Sequence, residues 1–191
     1  MIKISTQLWR TTCAGLLVLG LGLVCSSTSG ASSQSSHATA CASTASPHHL
    51  VIFGLCVNAP LDTVRAQGGS VVIPANVHHV GWYNASAAVS GSVGSVVIVG
   101  HVNYYGQGPG AFSVLGRAKA GMSVGAREGG ATTWWRVTAV RTYPKGHLAW
   151  SYFNPKGPRQ LVLITCGGKL VHSNDGWHYD KNVVVVAVPR R

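Results

Sequence analysis

The apolar positions of this chain fall in short runs, not in helical stripes. Residues 50–57, 70–73, 95–99, 123–126, 133–142, 160–165 and 182–188 are rich in β-branched, aromatic and aliphatic side chains, and turns with Gly, Pro or Asn separate them. Runs of this length and spacing predict strands, and their number predicts an all-β fold, either a closed barrel or a sandwich. Long amphipathic helical patterns are nearly absent. Residues 111–118 have room for a helical turn or two.

Two runs end in reactive side chains. Leu161-Val162-Leu163-Ile164-Thr165-Cys166-Gly167-Gly168 carries one thiol to the tip of an apolar strand, after which a glycine pair turns the backbone. Val96-Val97-Ile98-Val99-Gly100-His101-Val102 repeats the design with a histidine. A lone strand-end cysteine is more often a small core residue than a nucleophile. A histidine delivered in the same way changes the balance, because a neighbouring imidazolium favours the thiolate. The two strands need only be neighbours for His101 and Cys166 to meet. The other eight histidines lie mostly in polar or loop-like contexts.

The N-terminal quarter has a different pattern. Lys3 and Arg10 precede an uncharged apolar stretch, Cys13 to Cys25, which suits the core of an export signal. Extending it from Thr11 to Ala31 gives about 20 residues, enough for an uncleaved membrane anchor. The expected organisation is therefore a signal peptide or anchor over 1–31, a flexible Ser/Thr/Ala-rich linker over 32–49 and a β domain over 50–191. Export permits a disulfide between Cys41 and Cys56, whose loop of roughly 15 residues would contribute on the order of 3 kcal/mol. That pairing would leave Cys166 as the odd thiol of the exported domain.

Composition narrows the chemistry. Four acidic residues stand against fifteen Lys and Arg, for a formal net charge of +11. Such a surface suits an anionic cell wall or phospholipid headgroups. The positive charges are dispersed and form no nucleic-acid module, so nucleic acid is not an expected partner. There is no carboxylate pair placed for glycoside hydrolysis and no zinc-ligand spacing. Gly106-Gln107-Gly108-Pro109-Gly110 lacks the Lys-Ser/Thr of a phosphate loop and reads as an ordinary loop.

With these residues in place, the chain resembles the sortases, cell-wall transpeptidases of Gram-positive bacteria. Leu163-Ile164-Thr165-Cys166 resembles their cysteine signature and Gly100-His101-Val102-Asn103 their histidine motif. Val72-Ile73-Pro74-Ala75, Val80-Gly81-Trp82-Tyr83, Gly110-Ala111-Phe112-Ser113-Val114-Leu115 and Tyr179-Asp180-Lys181-Asn182-Val183-Val184-Val185 are similar to the actinobacterial class F branch, with class E next. The resemblance runs from about Leu50 to Pro189. It implies a closed eight-stranded barrel with short helical turns. It implies that Cys166 attacks the Thr–Gly carbonyl of an LPXTG-like sorting signal on a surface-protein precursor, and that His101 moves the protons. The acyl group then passes to an amine, such as that of a peptidoglycan precursor. No cofactor or metal is implied, and the location is extracytoplasmic, at the outer face of the membrane.

Two departures from the family pattern stand out. Sortases carry an arginine on the strand after the cysteine, and residues 167–189 contain none. Thr165 and Lys181 are the candidates for supporting the oxyanion or the substrate, beside backbone N–H groups, Arg141 and, less well placed, Arg190 and Arg191. Asn103 stands where this branch often has aspartate, so no acidic third member follows His101. The missing arginine keeps two further readings open: a non-catalytic cell-wall binding module, and a thiol hydrolase of the same peptides.

Overall fold

The computed structural model describes residues 46–174 and 176–190. Eight strands close a barrel in the order β1 (His48–Ile52), β2 (Val57–Val64), β5 (Val80–Tyr83), β6 (Ser95–Gly100), β11 (Gln160–Ser173), β12 (Gly176–Pro189), β10 (Thr133–Pro144) and β9 (Ser123–Glu128), with β9 returning to β1. Two small hairpins lie outside it: β3 (Ala66–Gln67) with β4 (Ser70–Val71), and β7 (Asn103–Tyr104) with β8 (Gly108–Pro109). Single 3-10 turns occupy Leu115–Arg117 and Trp150–Phe153.

The all-β expectation holds, and closure decides for the barrel over the sandwich. The span 50–57 is not one strand. It is the end of β1, a turn at 53–56 and the start of β2, with Gly54 and Cys56 at φ of 86° and 51°. The apolar pattern runs on through this turn, so periodicity alone did not mark it. β11 and β12 are each longer than their apolar runs. Beyond Gly167 they continue as a polar hairpin whose ladder slips between Gly167 and Leu170.

β6 and β11 are parallel neighbours, with Val97 opposite Val162 and Val99 opposite Ile164. β6 is buried throughout and β11 from Leu161 to Cys166, because each face is covered there. Inside the barrel, Val96, Ile98, Leu161, Leu163 and Val185 pack with Phe112 and Trp135. Outside it, Val97, Val99, Val162, Ile164 and Val184 pack beneath Tyr152 and Val71, with Leu148 and Phe153 at the margin. Each such aliphatic side chain contributes about 1.5–3 kcal/mol of burial. This double coverage explains why these strands read as continuous apolar runs without alternation.

Candidate functional site

The site forms where β6 and β11 end. The parallel register stops at Val99 opposite Ile164. Two residues further along each chain come His101 and Cys166, on the outer face shared by Val99 and Ile164. Both are buried, at 5% and 1% exposure. The Thr165 hydroxyl donates to the Gly100 carbonyl at 2.8 Å and ties the two strand ends together. Gly100 is needed for close packing, because a Cβ there would stand 2.7 Å from the Phe112 ring. Gly168 follows the cysteine at φ 82°, and a side chain there would run into the Asp180 carboxylate, which accepts the Lys169 backbone N–H at 2.7 Å.

The His101 ring is oriented by the backbone. Its Nε2 lies 3.1 Å from the Pro74 carbonyl, which only accepts, so Nε2 carries the proton. In the neutral ring Nδ1 is then a bare acceptor, and it is buried without a partner among the described residues. Burial holds the imidazole below its ordinary value, and the Pro74 hydrogen bond opposes this weakly. Tyr104 meets the ring edge-on at 5.1 Å. Asn103 donates to the Tyr179 hydroxyl at 3.0 Å, so it braces the long β11–β12 hairpin and does not act on the histidine.

The thiol of Cys166 is the free cysteine among the described residues, since Cys56 is disulfide-bonded. Cys41, its expected partner, lies outside the described residues, as does the whole 1–31 segment. Burial pushes the Cys166 thiol up, and the Lys145 ammonium pulls it down. Lys145 Nζ donates to Cys166 Sγ at 3.0 Å. The sequence reading did not single out Lys145. It follows the last residue of β10, and no spacing rule links it to position 166.

Lys181 sits elsewhere. Its Cα pairs with Gly167 and with Pro144, it is exposed, and strand alternation sends it to the face opposite that of Asn182. The residue directly opposite Cys166 is Asn182. Arg141 lies against the Tyr143 and Tyr152 hydroxyls. Trp135 is wholly buried beneath the Arg159 guanidinium, 4.6 Å from its centroid, while Trp134 stacks on Phe53 at the surface. A groove of about 650 Å³ leads to His101, walled by Val71, Ile73, Tyr104 and Gln107. Its mixed apolar and hydrogen-bonding walls suit an extended peptide.

The model of the sortase domain matches residues 57–190. Among solved structures, sortase A from Corynebacterium diphtheriae, a lid mutant, superposes with a TM-score of 0.57 at 19% identity, over 75% of this chain and 69% of that one. Sortase C1 from Streptococcus agalactiae gives 0.57 at 17% identity, over 75% and 67%. Sortase A of Listeria monocytogenes gives 0.56 at 15% identity, over 76% and 87%. At such identities these likenesses speak for the fold. No curated protein matches the chain by sequence.

Proposed function

Because the sortase-domain match covers residues 57–190, this chain belongs to the sortase family, and we propose that it is a cysteine transpeptidase acting on an LPXTG-like sorting signal. The observation that carries this reading is the paired delivery of His101 and Cys166 by two parallel strands in register, with a peptide-sized groove leading to His101.

In the proposed reaction the Cys166 thiol gives its proton to Nδ1 of His101 as the sulfur attacks the Thr–Gly carbonyl carbon. The carbonyl π electrons move to oxygen and form a tetrahedral intermediate. On collapse the C–N bond breaks, and the leaving amine takes a proton from His101. The product is a thioester on Cys166. An incoming amine then attacks the thioester and gives its proton to His101, and the C–S bond breaks to return the sulfur. The chain's own groups supply each of these steps. Buried Nδ1 of His101 is the lone pair available for the proton, and Pro74 fixes its orientation. The net charge of +11 suits an anionic cell wall as the place where the amine acceptor is met. The segment 1–31 is proposed to export or anchor the domain at the outer membrane face. Among the described residues no helix is long and apolar enough to cross a membrane.

The test is mass spectrometry of the full chain incubated with an LPXTG-type peptide, with and without triglycine. Wild type should gain an acyl group on Cys166, and triglycine should convert the product to the ligated peptide. Cys166→Ala should abolish acylation, and His101→Ala should reduce it by about 10²–10⁴-fold with the fold unchanged. Cleavage retained in Cys166→Ala would refute the proposal. Products indifferent to triglycine would identify a hydrolase. The lack of arginine on β12 favours one second reading, a cell-wall binding module; retention on peptidoglycan without acylation would identify it.

A further inference from the structure

Acyl transfer needs a group that meets negative charge as it forms on sulfur and then on the substrate oxygen. β12, the strand that follows the cysteine, offers no arginine for this. We propose that Lys145 and Asn182 together form the oxyanion and substrate-carbonyl site, with Lys145 as the cation at the nucleophile and Asn182 as the directional amide donor. The assignment rests on the acyl-transfer reading above and names two catalytic residues within it.

The strand order places both. β12 lies between β10 and β11, and Tyr143, Asn182 and Cys166 form one row across the three strands. Side chains directly opposite one another share a face, so Asn182 stands on the same side of the sheet as the thiol. Just past β10, the Lys145 backbone N–H donates to the Asp180 carbonyl at 3.0 Å. Its side chain spans the width of β12 to reach Cys166 Sγ at 3.0 Å.

Asn182 is 1% exposed, yet neither its Oδ1 nor its Nδ2 has a partner among the described residues. A buried amide left unsatisfied is destabilising, and Val183 to Val186 show what this strand otherwise selects. Its persistence beside the nucleophile is explained if a substrate carbonyl completes its hydrogen bonding. An arginine fork combines charge with directed N–H groups. A lysine supplies charge without direction, and the amide supplies direction without charge. Here one position on β10 and one on β12 divide the two tasks.

Apart from His101, which carries the protons of the proposed reaction, the charged or titratable groups around the thiol are engaged elsewhere or face away, and Arg141 lies against the Tyr143 and Tyr152 hydroxyls. His101 is tied to Pro74, and Asp180 accepts the Lys169 N–H. Lys181 leaves on the opposite face, and the Tyr143 hydroxyl pairs with that of Tyr152 at 2.7 Å. Lys145 stabilises first the thiolate and then the oxyanion.

Two measurements on the full chain test this. The first is the rate of Cys166 alkylation by iodoacetamide across the neutral to alkaline range, which requires no sorting peptide. The second is single-turnover acylation by an LPXTG-type peptide. Lys145→Met should move the alkylation midpoint to higher pH and lower acylation by about 10²–10³-fold, with Lys145→Arg restoring most of both. Asn182→Val should leave the alkylation profile in place, slow acylation at least tenfold and raise Tm, because a purely structural residue would not lower the rate while its loss stabilises the fold. Wild-type alkylation and acylation in Lys145→Met would overturn the lysine assignment. Wild-type acylation in Asn182→Val would overturn that of the amide. If wild type alkylates with a Lys145-dependent profile but never acylates, the peptide reading fails and the lysine–thiol pair stands.

Discussion

Single side chains at the two strand ends set the local geometry of the candidate site. Thr165, expected to support substrate or oxyanion, spends its hydroxyl proton on the Gly100 carbonyl in a buried setting. Its role in this geometry is to hold the thiol and the imidazole in register. Thr165→Val keeps the shape and removes the donor, leaving a buried carbonyl unsatisfied. Chemical denaturation should show a loss of about 1–3 kcal/mol, with acylation falling alongside. The histidines set a pH limit. Burial lowers His49 and His101 below 6.5, so the unfolded chain takes up protons first as pH falls. Stability should therefore be full above pH 6.5 and decline below it until the folded values are passed, and Tm measured from neutral to mildly acid buffer should follow this course. His101→Gln should shallow the decline. Cys166 adds the converse at the alkaline end. Its raised value means that the unfolded chain loses the proton first, and stability falls as pH climbs past 9.0.

At the scale of elements, β6 and β11 are parallel rails packed on both faces. Their apolar runs were legible because both faces are covered, by the barrel interior on one side and by Tyr152 and Val71 on the other. The turn at 53–56 and the polar hairpin beyond Gly167 were not legible. In the first the apolar pattern does not break, and in the second backbone pairing continues where the side chains carry no period. Gly100 shows how tightly the rails are set. Gly100→Ala would press its methyl group into the Phe112 ring, and relief requires the ring or the β6 end to shift. Thermal unfolding should report a loss of about 1–3 kcal/mol, and acylation should fall further than that of a distant control such as Gly130→Ala, which meets nothing.

The whole molecule decides which strand ends share the site. Closure in the order β6-β11-β12-β10 sets the end of β10 two strands from the thiol, within reach of one lysine side chain. In sequence Lys145 and Cys166 are 21 residues apart, with the Trp150–Phe153 turn between them, and no local pattern relates them. The same closure separates Lys181 from the thiol although Lys181 lies on the strand adjacent to it. Alternation along β12 gives the thiol's face to Asn182 and the other face to Lys181. The sequence alone determined the strand-rich class, the delivery of a thiol and an imidazole at two strand ends and the absence of arginine from residues 167–189, because burial on both faces and strand-end placement leave marks within a few consecutive residues. Only the tertiary structure decided what stands beside the thiol. That depends on strand order and on register across three strands, and both are set by barrel closure between residues far apart in the chain.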